Sequence, residues 1–150
     1  MLQAMATEVV HVGEVGHGQI TKAMNNCLYN VSCAAMVEIL PLAAKAGMNL
    51  DAVRQVISAG SGQSFGFDKF AGLVLDRQFD APQYGYPMES AYKDMETVKQ
   101  LATEYEIEFG VIGATDATYA EALAQGLGRQ HKGGMTKVWE GRLGVECKRE

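Results

Sequence analysis

The sequence has 150 residues, enough for one domain with a substantial buried core. Hydrophobic residues make up 47% and charged residues 21%, a composition typical of globular proteins. The formal net charge of -5 argues against a basic surface that could neutralise phosphates, so we expect no nucleic-acid partner. Lys132, Lys137 and Arg142 form a cluster near the C-terminus that glutamates interrupt, and we expect it on a solvated helix face.

The sequence shows no targeting or membrane segment. Glu38, Pro41 and Lys45 interrupt the most apolar stretch, so we expect no membrane span. Residues 1–10 lack the basic region followed by an apolar one that marks a signal peptide. The three cysteines are too few and too scattered for a disulfide framework or a metal site: Cys27, Cys33 and Cys147. We therefore expect a reduced, cytoplasmic setting.

Apolar residues spaced by three and four predict one long helix over residues 19–46. At about 1.5 Å per residue, this helix is roughly 40 Å long. Its second half, residues 33–44, is apolar almost all round, which predicts burial on every side. Pro41 predicts a kink, and Gly47 is a candidate C-terminal cap. The residues before the helix predict an extended lead-in over 1–12 that ends in a glycine-rich turn.

Shorter helices follow in the same pattern. They are predicted over residues 51–57, 65–75, 88–102, 114–127 and 135–143, with an irregular stretch over 76–86. Beyond the lead-in no segment is convincing as a β-strand. The sequence therefore predicts a single all-α domain over residues 1–150, a multi-helix fold built around one long central helix.

Lys22, Asn25 and Asn26 are at positions i, i+3 and i+4, so they share one face of the long helix near its start. The apolar stripe is centred nearly opposite Lys22, and periodicity alone therefore favours a solvated polar face. Two successive asparagines inside a helix nevertheless need a reason, because asparagine is a mediocre helix former. Since the helix continues as a buried one, its first turns could face another domain.

The run GEVGHGQITKAMNN at residues 13–26 resembles the glycine, lysine and asparagine motif of the β-hydroxyacid dehydrogenases. That family includes 3-hydroxyisobutyrate dehydrogenase and tartronate semialdehyde reductase, with 6-phosphogluconate dehydrogenase as a more distant relative. The resemblance continues through residues 43–47, 58–64 and 92–94, in the order of the family's C-terminal helical domain. It implies hydride transfer between NAD or NADP and a small 3-hydroxy acid. It also implies a homo-oligomer, at least a dimer, which the apolar central helix favours independently.

The resemblance implies a role for each polar residue near the start of the helix. Lys22 is the general acid/base, because oxidation of an alcohol leaves a hydroxyl proton that needs an acceptor. A lysine can accept it near neutral pH if burial lowers its pKa. Gly18, Asn25 and Asn26 are the implied substrate-binding residues. No metal is implied.

Three further residues fall on family motifs. Lys93 matches the lysine that approaches the cofactor, and the alternative is an ion pair with Glu89 on an exposed helix. Ser64 and Phe65 match a pair near the active cleft, but a helix cap followed by a core aromatic is the preferred interpretation. His17 has no evident partner.

The family begins with a βαβ dinucleotide-binding domain, and this sequence contains no such unit. Residues 16–21 lack the final glycine of the dinucleotide fingerprint. We therefore expect another domain to bind most of the NAD or NADP, and this chain alone to bind it weakly. Two alternatives stay open: a non-catalytic helical dimerisation module that kept the fold, and a stand-alone lyase or isomerase with Lys22 as its base.

Overall fold

A computed structural model of the chain describes residues 7–149. Within them the chain forms seven α-helices and one 3-10 turn, and no β-strand. These are α1 (His17–Lys45), α2 (Leu50–Ala59), α3 (Phe65–Leu75), α4 (Ala81–Tyr84), α5 (Met88–Glu104), α6 (Gly110–Ala124), the 3-10 turn (Lys132–Met135) and α7 (Thr136–Leu143). The all-α prediction is confirmed, and each predicted helix is present. Of the predicted lead-in, residues 7–12 are exposed and form neither helix nor strand, and residues 1–6 lie outside the described range.

The start and end of α1 depend on glycines. Gly13 and Gly16 have φ angles of 127° and 96°, in the left-handed region that favours glycine. A Cβ at Gly13 would clash with the ring of His17, whose Nδ1 accepts a hydrogen bond from the Glu14 N–H at 3.1 Å. His17 thus has a partner that the sequence did not reveal. After α1, Gly47 adopts a φ of 72° and ends the helix as predicted.

The central position of α1 follows from its contacts with α2, α3, α5, α6 and α7. Its inward face supplies much of the core, with Cys33, Met36, Val37 and Leu40 almost fully buried. The other elements contribute buried apolar side chains that pack against this face: Phe67, Phe70, Val74, Leu75, Met88, Met95, Tyr119, Met135 and Val138. The predicted architecture around one long helix is therefore confirmed.

The prediction that residues 33–44 are buried on every side is wrong. Ala35, Glu38, Ile39 and Leu42 are exposed, and their spacing places them on a single stripe of α1. The apolar part of this stripe borders a groove between α1 and α2 of about 750 Å³. We call it the α1–α2 groove; it is lined by Ile39, Leu42, Ala43, Ala46, Met48, Asn49, Ala52, Val53, Val56 and Ile57.

By length and composition alone, α1 is long and apolar enough to cross a membrane, because its most apolar 18-residue window has a mean hydropathy of 1.5. This corrects the expectation that Glu38, Pro41 and Lys45 exclude such a segment. Half of that window is buried inside the fold. Core helices of globular domains pass the same test of length and hydropathy.

The 3-10 turn is anchored by His131, which is fully buried. The ring stacks on Phe70 at a centroid distance of 4.7 Å. Its Nδ1 accepts a hydrogen bond from the Gly133 N–H at 3.1 Å, and its Nε2 lies 2.6 Å from the Gln78 carbonyl oxygen. Burial lowers the pKa of His131, which favours a neutral ring whose Nε2–H donates to that carbonyl. These contacts hold the turn, and with it Lys132, against α3.

Gly66 is expected to be required where α3 crosses α1. A Cβ at this position would overlap Ser32 Oγ and lie 2.8 Å from Cys33 Sγ, so Gly66→Ala should destabilise the fold by about 1–3 kcal/mol. Gly72→Ala on the same helix is the matched control, because nothing lies within 4 Å of its Cβ. It should be neutral or stabilising by about 0.5–1 kcal/mol. Urea denaturation of both variants checks this, and equal stabilities would contradict the close packing.

Candidate active site

A cavity of about 490 Å³ opens beside the first half of α1. Its walls come from α1, α3, the residues before α5, α5 itself and the 3-10 turn. The lining combines aromatic rings with amines, an amide and a carboxylate: Lys22, Asn26, Tyr29, Phe65, Lys69, Phe70, Tyr86, Ser90, Ala91, Asp94 and Lys132. Volume and composition are those of a small-molecule site.

Three lining residues come from successive turns of α1. Lys22, Asn26 and Tyr29 are at positions i, i+4 and i+7, so the helix aligns them on one face. The Asn26 side-chain N–H donates to Asp94 Oδ2 at 2.9 Å and thereby joins α1 to α5. Lys22 is exposed at the open side of the cavity. The structure thus brings together two of the residues proposed from the sequence, with Asp94 as an additional partner.

The other proposed residues lie outside this cavity. Asn25 donates to Asn26 Oδ1 at 3.4 Å and lines a shallower depression next to the cavity. Gly18 is exposed on the first turn of α1. Lys93 is exposed on α5, and the adjacent Asp94 takes the position that lines the cavity. The Glu89–Lys93 pair is absent from the ion pairs among the described residues.

Of the two predictions made for Ser64 and Phe65, one is confirmed and the other is wrong. The predicted cap is confirmed, because Ser64 Oγ accepts a hydrogen bond from the Phe67 N–H at 3.1 Å. The interpretation of Phe65 as a core aromatic is wrong: its side chain is 71% exposed at the cavity edge. Phe67 and Phe70 occupy the inward positions of α3, which leaves Phe65 to pack edge-to-face on Tyr29 at 5.4 Å.

The expectation of a solvated face is wrong for Lys132. This residue is 6% exposed, because the 3-10 turn directs it beneath Tyr29. Its Nζ lies 2.5 Å from Asn30 Oδ1 and 3.5 Å from the centroid of the Tyr29 ring. Lys137 is half-buried over the Phe79 ring, and Arg142 alone of the three is exposed.

Asn30 connects the wall of the cavity to the core. Its Oδ1 accepts hydrogen bonds from Lys132 Nζ and, at 3.2 Å, from the Tyr119 hydroxyl. Its side-chain N–H donates to the Ala91 carbonyl at 3.2 Å. Burial lowers the pKa of Lys132 to about 8, and it raises the pKa of Tyr119. At pH 7 the Lys132 amine is therefore still mostly protonated, although it is buried.

The arrangement can bind an anion and exchange a proton with it. Lys22, Lys69 and Lys132 supply amines, and Asn26 supplies an amide that can orient a hydroxyl or a carboxylate. Residues 7–149 hold no group of three or more His, Cys, Asp or Glu side chains placed to bind a metal ion. Sequence reasoning missed Tyr29, although its spacing from Lys22 signals the shared helix face. It also missed Lys69 and Lys132, for which no local pattern exists.

The lowered pKa of Lys132 predicts a pH-dependent stability. An unfolded lysine keeps its proton up to about pH 10.5. Between about pH 8 and 10.5 the unfolded state therefore binds more protons, and the stability contributed by this residue rises with pH. The free energy of unfolding of the unsubstituted chain, minus that of Lys132→Met, should rise by about 2 kcal/mol between pH 7 and pH 10. Urea titrations at both pH values measure it, and a pH-independent difference would contradict the burial of the charge.

The comparison with known proteins supports the sequence resemblance. A family model described as the NAD-binding of NADP-dependent 3-hydroxyisobutyrate dehydrogenase matches residues 16–139. The 2-(hydroxymethyl)glutarate dehydrogenase of Eubacterium barkeri is 26% identical over 146 residues, which cover 97% of this chain and 48% of that protein. The L-threonate dehydrogenase of Haemophilus influenzae is 25% identical over 142 residues, 94% of this chain and 46% of that protein. This chain thus spans about half the length of both relatives.

Solved structures share the fold. The 3-hydroxyisobutyrate dehydrogenase of Salmonella typhimurium matches 91% of this chain and 47% of its own chain, with a TM-score of 0.84 and 24% identity. The Mycobacterium tuberculosis 3-hydroxyisobutyrate dehydrogenase with L-serine gives a TM-score of 0.79 at 19% identity, over 91% of this chain and 48% of its own. Since the family model spans most of the sequence, this chain belongs to the 3-hydroxyisobutyrate dehydrogenase family of hydroxyacid dehydrogenases.

Proposed function

We propose that this chain is the helical C-terminal, substrate-side domain of an NAD(P)-dependent dehydrogenase that acts on a small 3-hydroxy acid. The observation that carries the proposal is the shared cavity of Lys22, Asn26 and Asp94, whose side chains come from two helices. The names of the relatives favour the same reaction class, since both are dehydrogenases of hydroxy acids. Buried and unpaired Cys27, Cys33 and Cys147 fit a reducing cytoplasmic setting, which is part of the proposal.

In this mechanism Lys22 accepts the hydroxyl proton during oxidation and returns it during reduction. Asn26 fixes the orientation of the substrate. One of its side-chain N–H groups is held by Asp94, which leaves the second N–H to donate to the substrate hydroxyl or carboxylate. Tyr29 and Phe70 form an apolar wall that excludes water from the substrate carbon skeleton. Positioning by several groups lowers the entropic cost of reaching the reactive arrangement.

A nicotinamide cofactor fits the open side of the cavity. Phe65 and Tyr86 expose aromatic rings there, with exposed fractions of 71% and 80%, and such rings suit a planar heterocycle. When bound, the cofactor supplies the hydride acceptor or donor. We propose that Lys93, exposed on α5, approaches this cofactor from outside the cavity and that another domain binds most of it.

We also propose that a second copy of the chain covers the α1–α2 groove. Its lining is almost entirely apolar, and Ile39, Leu42, Met48 and Val56 are exposed. Contiguous apolar patches of this kind favour association. The inward face of α1 is packed against the other helices, so dimerisation through the central helix would bury the exposed stripe that the core leaves uncovered.

Replacement of Lys22 tests the catalytic proposal. In an active preparation of the protein with its cofactor, Lys22→Ala should lower kcat by about 10²–10⁴-fold, because a general acid/base is lost. The fold should survive, since Lys22 is exposed. Lys45→Ala, at the far end of the same helix, is the matched control and should leave kcat unchanged. Lys93→Ala should instead raise the KM for the cofactor.

Two results would contradict the catalytic proposal. One is a near-normal kcat for Lys22→Ala. The other is that the unsubstituted chain, supplied with a dinucleotide-binding domain of the family, oxidises none of a panel of 3-hydroxy acids with either NAD or NADP. The first result would remove Lys22 from the reaction, and the second would favour the alternative of a non-catalytic helical dimerisation module.

Sedimentation equilibrium at micromolar concentration tests the assembly. The unsubstituted chain should be at least a dimer, and Leu42→Arg should make it monomeric by placing a charge in the apolar groove. Leu28→Arg is the matched control: Leu28 is 72% exposed on the same helix, compared with 57% for Leu42, but lies outside the groove. A monomeric unsubstituted chain, or a dimer that persists in Leu42→Arg, would contradict the proposal.

A further inference from the structure

Lys132 is a buried cation with no acidic side chain within ion-pair distance among the described residues, although the charge of Asp94 acts on it from further away. The ion pairs among them, to 4.0 Å, do not include Lys132. Its two closest contacts are neutral groups, the Asn30 amide oxygen and the Tyr29 ring. Transfer of an ammonium group from water into a protein is costly unless an opposite charge compensates it. An anionic ligand in the cavity that Lys132 lines would supply this charge.

The lining of the cavity as a whole also has more positive than negative side chains. Lys22, Lys69 and Lys132 contribute three cations, and Asp94 is the one acidic side chain in the lining. Lys69 Nζ lies over the aromatic wall, 5.7 Å from the Phe70 ring centroid, and is likewise absent from the ion pairs. The lining is therefore positive by two charges when Lys22 carries the proton that it returns during reduction, although the chain carries a formal net charge of -5. A substrate with one carboxylate would balance only one of them.

We propose that the substrate is a 3-hydroxy acid with a second acidic group, and that Lys132 and Lys69 bind this second group. The inference rests on the proposed function, which assigns Lys22 to the hydroxyl proton. Tyr29, the contact of Lys132, follows Lys22 by seven residues, a rise of about 10 Å along α1. Lys22 and Lys132 thus approach the cavity from different positions along the helix, so the two ends of one substrate can be bound separately. The second group is a carboxylate or a phosphate-like acid.

Binding of small acids to the 150-residue chain tests the proposal by isothermal titration at pH 7. Glutarate and pentanoate have the same number of carbons but two acidic groups and one, respectively. The unsubstituted chain should bind glutarate about tenfold more tightly or better, which is the effect of one hydrogen-bonded ion pair. 3-Phosphonopropionate distinguishes the two chemistries: tighter binding than glutarate assigns a phosphate-like group, and weaker binding assigns a carboxylate.

Lys132→Met removes the charge and keeps an apolar side chain of similar length. It should reduce the preference for glutarate to less than about threefold. Lys137→Met is the matched control, because Lys137 is a half-buried lysine from the adjacent helix that does not line the cavity. It should keep the full preference. Equal binding of the two acids by the unsubstituted chain, or an unchanged preference in Lys132→Met, would overturn the proposal.

A measurement on the unsubstituted chain covers the case in which Lys132→Met does not fold. In NMR spectra of lysine Cε groups, saturating glutarate should shift the Lys132 signal, and pentanoate should not. A Lys132 signal that does not respond to glutarate would show that this residue serves only the Asn30 contact, and it would overturn the proposal.

The two proposals can fail separately. The protein could turn over 3-hydroxy acids with a single carboxylate in a way that depends on Lys22 but is unchanged in Lys132→Met. That result would contradict only the proposal of a second acidic group. If glutarate binding depends on Lys132 but the protein transfers no hydride, only the proposal of dehydrogenase activity is contradicted.

Discussion

The side chain of Asn30 makes hydrogen bonds to three other elements from a fully buried position on α1. It donates to Ala91 of α5 and accepts from Tyr119 of α6 and Lys132 of the 3-10 turn. A buried polar group that loses its partner costs about 1–3 kcal/mol, so any shift of these elements against α1 is penalised. The same contact makes the buried Lys132 tolerable, because its ammonium group keeps an acceptor. The shape of the cavity and the position of its deepest cation therefore depend on one amide.

Local pattern was enough to predict most of the fold. The bounds of α3 agree with the prediction because both signals are local: Ser64 caps the first turn, and the apolar residues repeat at the helical period. The start of α6 was predicted four residues late, since Gly110 and Gly113 are poor helix formers. Packing outweighs that propensity, because Ile112, between the two glycines, packs against the buried cluster of Ala23, Cys27 and Val98. Tertiary contacts of this kind leave no periodic signal in the sequence.

The candidate site was predictable only along α1. Lys22 and Asn26 follow from helical spacing combined with the family motif. Lys132 does not, because its burial depends on a turn more than 100 residues later in the chain, held by the stacking of His131 on Phe70. Asn30 lies on α1 itself, but the sequence pattern predicts the wrong environment for it. A polar residue is expected on the solvated side of a helix, and only its three hydrogen bonds make its burial favourable.

The long central helix separates the candidate active site from the candidate interface between copies. Lys22 and Leu42 are 20 positions apart, a rise of about 30 Å along α1. A second copy at the α1–α2 groove would therefore leave the cavity open to substrate and cofactor. The exposed rings of Phe65 and Tyr86 line the cavity, whereas the exposed Ile39 and Leu42 line the α1–α2 groove. Because no residue lines both surfaces, loss of assembly need not abolish binding at the cavity, and each surface can be changed without altering the side chains of the other.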